Sequence, residues 1–281
     1  MGKLERSWEM VKASWAVLRQ DKELMLFSLL SLGCCGLLCL GFLRAMLPDL
    51  LAAGEAAEAS SAAGRLDPQG YFVLFFFYLA LYLIGTYFST AVAACAVIRL
   101  RGGDPTIADG LRIATSRLPV ILGWALFAAS VGMVLRIVED KSKWVGKLVV
   151  GLLGMAFSIA SFLVIPILAV EGVGPLEAFR RSAAMVKKTW GEQLAGNIGL
   201  GLLTFVACLP AVVFLAPGIM TGSGAALVTG ILVAAVYLLA VTLVANTLQT
   251  VYQSAVYLYA SDGQVPEGFS RELMEGAVTG R

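Results

Sequence analysis

Six times along this chain of 281 residues, charge disappears for about the length of a membrane-spanning helix. The apolar runs cover 24–43, 71–99, 119–135, 148–170, 194–215 and 225–260. Arg99, at the last position of the second run, is the one charged residue in any of them. About 20 apolar residues span the hydrocarbon core as an α-helix, which satisfies its own backbone in lipid. The chain is 59% hydrophobic and 14% charged, with a mean hydropathy of +0.83. Soluble domains carry about 25% charged residues, and no polar stretch here is long enough to build one. The expected fold is an all-α integral membrane protein of six transmembrane helices. The second and sixth runs exceed the need of a bilayer, so they should tilt or project. Pro166 and Pro210 fall inside runs and should kink them.

The placement of charge says more than the net +2, which is too small to suggest nucleic acid. Lys3, Arg6, Lys12, Arg19 and Lys22 precede the first run. Arg99, Arg101, Arg112 and Arg117 follow the second, Arg180, Arg181, Lys187 and Lys188 the fourth, and Arg271 and Arg281 the sixth. Arg44, Arg65, Arg136, Lys141, Lys143 and Lys147 lie on the opposite side, fifteen against six. The excess marks the cytoplasmic side. Both termini are therefore expected in the cytoplasm, with the chain in a bacterial inner membrane. A polar, partly acidic lead precedes residue 24, so 24–43 is expected to be a retained span and not a cleaved signal.

A second pattern divides the chain. "RSWEMVKASW" at 6–15 recurs as "RSAAMVKKTW" at 181–190, each just ahead of an apolar run. The second, fourth and sixth runs end alike, in "RGGDPTIA", "EGVGPLEA" and "DGQVPEGF", each with Gly-x-x-Pro. Glycine accepts the left-handed conformation that closes a helix, and proline suits the first turn of the next. Helical periodicity places Leu4, Trp8, Val11, Trp15 and Leu18 on one face of the first segment. Leu176, Phe179, Ala183, Val186 and Trp190 share a face of the third, and Ile107, Leu111, Ala114 and Leu118 share one of the middle segment. Basic-rimmed helices of this kind lie in the membrane interface with tryptophan at headgroup depth. The expected organisation is three parallel repeats of an amphipathic surface helix and a helical hairpin, at 1–105, 106–175 and 176–266, with a cytoplasmic tail at 267–281.

One segment carries a resemblance. "PILAVEGVGPLEAFRRSAAMVKKTW" contains an acidic-Gly-x-x-Pro link, an apolar-Arg-x-Ser helix and a basic end, here Glu171, Gly172, Pro175, Phe179, Arg181, Ser182, Lys187 and Lys188. It resembles the signature of uncharacterised bacterial six-span membrane proteins. It is also similar to the membrane domain found ahead of some glycerophosphodiester phosphodiesterases. The resemblance implies fold and membrane location, not hydrolysis, because that catalytic domain is absent.

Chemistry is sparse. The chain has no histidine, the commonest metal ligand and neutral-pH base. The cysteines Cys34, Cys35, Cys39, Cys95 and Cys208 fall in apolar runs without metal spacing and read as buried hydrophobes. No cofactor, metal site or catalytic residue is expected. Two polar stripes stand out: Tyr78, Tyr82, Thr86 and Ser89 in the second run, and Asn246, Gln249, Gln253 and Tyr257 in the sixth. They suit either a lipid- or solute-lined groove or hydrogen bonding between helices. Arg180, Arg181, Lys187, Lys188, Arg6 and Lys12 are candidate contacts for anionic headgroups, or simply determinants of topology. Glu171 and Asp262 should make local bonds to the links or to arginine. The expected role is a non-enzymatic inner-membrane scaffold or accessory protein organising lipid or a partner complex. The alternative is a transporter or lipid-handling channel that uses the stripes. The expected partner is membrane lipid, with a protein partner or a homo-oligomer open, and no nucleic acid.

Overall fold

The computed structural model describes residues 3–57, 68–141, 144–188 and 201–269. Helix α1 (Lys3–Gln20) leads into α2 (Leu24–Ala57) and α3 (Pro68–Leu100). They are followed by α4 (Ile107–Ser116), α5 (Leu118–Lys141), α6 (Trp144–Ala160), α7 (Val164–Val170) and α8 (Pro175–Lys188). A helical stretch at 201–208, α9, runs through a 3-10 segment, Leu209–Leu215, into α10 (Ala216–Thr221), before the long α11 (Gly224–Asp262). No strand occurs among the described residues. Six stretches are long and apolar enough to cross a membrane: Leu24–Met46, Phe72–Leu100, Leu118–Glu139, Gly146–Val170, Gly201–Thr221 and Gly224–Asp262. They match the six expected runs, except that 194–200, the start of the fifth, lies outside the described residues.

Both expected proline breaks occur. Pro166 has no N–H for the Phe162 carbonyl, and its ring crowds that oxygen. The helix opens at 161–163, which separates α6 from α7. The freed Leu163 N–H donates to the Ser182 hydroxyl of α8 at 3.0 Å, in a buried bond. Pro210 opens the 3-10 segment of the fifth span and Pro217 opens α10.

Helix α3 is the hub, packing against α2, α4, α5, α7 and α11. Burial is concentrated toward one end of the bundle, where the three glycine links lie. On α3 residues 90–97 are buried, and on α11 residues 247–258 are buried except Gln249 and Gln253. Toward the far end, Leu37, Leu40, Phe72, Phe76, Leu232 and Val236 are exposed. The bundle is thus closed at the link end and open at the far end. Apolar exposure of this kind is what lipid covers.

Side chains clamp the closed end. Arg99 of α3 grips Asp21, in the α1–α2 turn, through both Nε and Nη2, and reaches Asp104 with Nη2 at 2.6 Å. Its guanidinium is 22% exposed and the Asp21 carboxylate 10%. Arg101 bonds Asp262 at 3.2 Å, tying the end of α3 to the end of α11. The Tyr257 hydroxyl of α11 donates to Glu171, at the end of α7, at 2.9 Å. Glu171 also pairs with Arg181 of α8, so both acidic link residues make the local bonds expected of them. Link glycines Gly102, Gly172 and Gly263 all have positive φ, at 84°, 62° and 66°. At Gly172 a Cβ would overlap the Arg117 guanidinium. That group donates from Nη2 to the Val170 carbonyl at 3.3 Å and so caps α7. Pro175 begins α8 as expected. Pro105 stands one residue before the Thr106 N-cap of α4, because a capping box between Thr106 and Asp109 opens that helix instead.

The surface helices correct some expected faces. Val11 and Leu18 of α1 are buried, but with them lie Met10, Ser14 and Val17, while Trp8 and Trp15 are 49% and 43% exposed. The apolar arc is wide: its middle packs on α11 and its edge leaves the indoles free. On α8 the buried line is Ala178, Ser182 and Val186, and Leu176 is exposed. Phe179 joins Trp124, Phe127 and Phe157 in an aromatic cluster with centroid separations of 5.4 to 6.4 Å. On α4 Gly110 and Ala114 are buried, and Leu118 begins α5 exposed. Small residues face inward because a short helix laid across the ends of spans must approach closely. Trp190 lies outside the described residues. Of the cysteines only Cys95 is buried, while Cys34 and Cys39 are exposed on α2.

Replacing Arg99 with alanine should therefore destabilise the protein by about 3–5 kcal/mol, because Asp21 is left buried and unpaired. Ser182→Ala should cost about 1–3 kcal/mol through the orphaned Leu163 N–H. Lys12→Ala, at an exposed pair with Glu9, should cost little. Thermal unfolding of the three variants in one detergent gives the ranking.

Candidate functional site

The polar residues of α11 stand at i, i+3 and i+7, which puts Asn246, Gln249 and Gln253 on one helical face. That face borders a cavity of about 410 Å³ between α2, α3, α7 and α11. Ser28 and Ser31 of α2 and Ser89 of α3 line the other walls. At about 1.5 Å per residue, Asn246 lies about 24 Å and Gln253 about 14 Å from the end of α11, within the apolar stretch Gly224–Asp262.

Several hydroxyls near the cavity are satisfied. Ser28 and Thr247 share a hydrogen bond of 2.7 Å that joins α2 to α11. Thr247, Thr250 and Ser254 bond back to carbonyls four residues earlier. The amides are not: none of the Asn246, Gln249 and Gln253 side chains has a hydrogen-bond partner among the described residues. Bonding between helices runs through Thr247 and Tyr257, while the amides face open space. An unpaired amide in apolar surroundings costs several kcal/mol unless water or a polar ligand meets it.

The eight stripe residues do not form one site. Ser89, Asn246, Gln249 and Gln253 share the groove. Tyr257 follows the same face of α11 but is buried, with its hydroxyl on Glu171. Tyr78, Tyr82, Thr86 and Ser89 line a second cavity of about 470 Å³ on the α5–α6 side of α3, with Trp124 and Phe157. It adjoins the groove through Gly85, Ser89 and Ile165, which line both. Tyr78 and Tyr82 also border a third cavity, of about 560 Å³, at the far end of α3. Two strips of polar residues were legible in the sequence, but not that α3 presents its strip to a different set of neighbours at each level. The contributions of Ser28, Ser31 and Thr242 were missed. The spacing of Ser28, Ser31 and Cys35 in the first run was the available signal.

The candidate headgroup contacts also divide. Arg181 is engaged by Glu177 and Glu171, which hold its pKa above the ordinary value. Lys12 pairs with Glu9 at 2.8 Å and stands 5.8 Å from the centre of the Trp8 ring. Arg180 and Lys187 are exposed and make no ion pair among the described residues. The side chains of Arg6 and Lys188 lie outside the described residues. On α4 the Thr106 hydroxyl, then its backbone N–H, hold the Asp109 carboxyl below the usual carboxylate range. The ionised form closes that cap, so its contribution is present at neutral pH and is lost as pH falls through the lowered value. Among the described residues no group of three or more His, Cys, Asp or Glu side chains could hold a metal ion.

If the amides make no bond within the chain, Gln249→Leu should leave thermal stability unchanged or raise it. Thr247→Val, which breaks the bond to Ser28, should lower stability by about 1 kcal/mol. Unfolding midpoints in detergent decide the order, and a loss at Gln249 larger than at Thr247 would contradict the geometry.

No curated protein matches the chain. The sequence profile of a family of unknown function, DUF6159, matches residues 68–268, well over half of the chain and including all of α3 and α11; the chain belongs to that family.

Proposed function

We propose that this chain is a non-enzymatic lipid-handling protein of the bacterial cytoplasmic membrane. The observation that carries this is the row of unpartnered amides, Asn246, Gln249 and Gln253, on an open groove within the apolar stretch of α11. A lipid satisfies such a site at both ends. Its ester or hydroxyl oxygens meet the amides, and its chains follow the exposed apolar walls toward the far end. None of the residues that line the groove is charged, which suits recognition by hydrogen bonds. The second and third cavities extend the polar strip along α3 and support movement of an amphiphile, the alternative role expected from the sequence. A scaffold remains the second reading, favoured by the exposed outer half of α11, where Leu227, Ile231, Leu232 and Val236 face outward. The same amides would then pair with a second copy or another chain.

We further propose that α1, α4 and α8 lie on the cytoplasmic side, with both termini, as three parallel repeats at 1–105, 106–175 and 176–266. Three contacts support the repeats. Helix α4 packs on α3, α8 on α7, and α1 on α11. Each surface helix thus rests on the last span of the unit before it, with the first unit following the third. The exposed Arg180 and Lys187, with Lys12 beside Trp8, then meet anionic headgroups at about 1 kcal/mol per basic residue. Kinship with the membrane domain of some glycerophosphodiester phosphodiesterases is part of this reading and carries no hydrolytic role, since the chain has no histidine.

Native mass spectrometry of the full chain from nanodiscs tests the main reading. A triple Asn246→Leu, Gln249→Leu, Gln253→Leu variant should lose bound lipid while keeping its unfolding midpoint. Retained lipid with loss of a dimer or partner chain would favour the scaffold. Unchanged lipid and unchanged assembly would sink both. For sidedness, Ala184→Cys and Ser223→Cys are placed separately in a variant cleared of native cysteines. An impermeant thiol reagent applied to intact cells should label Ser223→Cys and not Ala184→Cys, and the reverse pattern would invert the topology.

A further inference from the structure

The third cavity, of about 560 Å³, lies at the far end of α3, between α3, α5 and α6, and shares no lining residue with the amide groove. Its chemistry is different. Gly132 of α5 and Gly151 and Gly154 of α6 leave one wall bare. A Cβ at Gly132 or Gly151 would meet nothing within 4 Å, and one at Gly154 would meet only Leu135 at 3.8 Å. These glycines therefore keep a cleft open and are not sites of helix contact. Phe75, Val150 and Met133 make its apolar side.

Arg136, Glu139 and Lys147 also line this cavity. Arg136 and Glu139 are one turn apart on α5, and so share a face. Lys147 comes from α6. The Arg136 Nη1–H donates to the Tyr78 hydroxyl at 3.1 Å, which steadies the guanidinium at the cleft. Yet no ion pair among the described residues involves Arg136, Glu139 or Lys147. At the link end, by contrast, Arg99, Arg101 and Arg181 are all paired with carboxylates. Two cations and a carboxylate around one apolar cleft are the complement of an amphiphile with an anionic and a cationic group close together. They also stand on the side where the distribution of charge leaves few basic residues.

We infer that this cleft binds a phospholipid whose head group carries a phosphodiester and a primary ammonium. The phosphate is held by Arg136 and Lys147, the ammonium by Glu139, and an acyl chain lies along Gly132, Gly151 and Gly154. The carboxylate makes the site selective. A head group with a quaternary ammonium keeps the charge but has no N–H to donate to Glu139, and one without an amine gains nothing from it.

The test uses the full chain in nanodiscs and reads retained lipid by native mass spectrometry. Phosphatidylethanolamine, phosphatidylcholine and phosphatidylglycerol are offered in turn, with inorganic phosphate as competitor. The expected result is about tenfold stronger retention of phosphatidylethanolamine than of phosphatidylcholine, about one good charge-assisted contact. Glu139→Gln, at an exposed position, should fold normally and abolish that preference. Arg136→Gln with Lys147→Gln should weaken both lipids, and Gly151→Leu with Gly154→Leu should do so with every charge in place. Equal retention of the two lipids by the parent chain, or an undiminished preference in Glu139→Gln, overturns the proposal. So does unchanged retention in the glycine variant, which would reduce the cations to ordinary surface charge. Displacement of the lipid by millimolar inorganic phosphate would assign the cations to free anions and equally overturn it. The amide-groove variant serves as the control: loss of this lipid there, with the cleft intact, would show that the two sites had been confused.

Discussion

The grip of Arg99 on the buried Asp21 is the polar bond on which the link end depends. It joins the turn between α1 and α2 to the end of α3, and Asp104 adds the link that follows. In lipid there is no hydrophobic force between helices, so association rests on packing and on polar bonds between helices. The chain places those bonds at one end. Arg101 with Asp262 and Tyr257 with Glu171 join α3, α11 and α7, the three helices that end in glycine links. Arg117 lies across Gly172, which can carry no side chain there. A buried pair is a weak source of net stability, but breaking one is costly. The clamp therefore serves chiefly to set which helix ends meet.

The cavities follow from having one closed end. With α3, α7 and α11 drawn together by their link ends, the amide groove is left between α2, α3, α7 and residues 239–253 of α11. On the opposite side of α3 the glycine-walled cleft lies between α3 and the α5–α6 hairpin. The surface helices contribute to the same closure. Ser182 of α8 satisfies the backbone that Pro166 leaves open in the fourth span. A motif that reads as part of a membrane-surface helix therefore also acts inside the span it crosses. That dual use explains why its buried line is small, Ala178 and Ser182, and why Phe179 is the residue that enters the aromatic cluster.

The polar residues illustrate how far a sequence can be read. Periodicity placed Asn246, Gln249, Gln253 and Tyr257 on one face of one helix, and that is correct for any straight helix. It could not tell that Tyr257 meets Glu171, a residue 86 positions away, while the three amides meet no partner among the described residues. Similarly, Trp8 and Trp15 fall on the apolar side of α1 by spacing alone. Which part of that side packs on α11 was decided by Met10, Ser14 and Val17, whose burial depends on a helix encoded over 200 residues later. Arg136 and Lys147 read as exceptions to a topological rule. Only the approach of α3 turns them into part of a cavity.

The sequence by itself determined the elements: the six apolar stretches, the breaks at Pro166 and Pro210, and the glycines whose positive φ closes α3, α7 and α11. These are local consequences of transfer free energy, missing N–H groups and backbone sterics, and they need no neighbour. Tertiary structure decided which polar groups are spent and which are left over. Arg99, Arg101, Arg181, Glu171 and Tyr257 are consumed in holding the link end, while Asn246, Gln249 and Gln253, and at the far end Arg136, Glu139 and Lys147, are not. The reason is geometric: a hydrogen bond or ion pair needs its partner within about 3 Å, and whether a partner from a distant part of the chain arrives there depends on how the helices pack, which no local pattern of residues encodes.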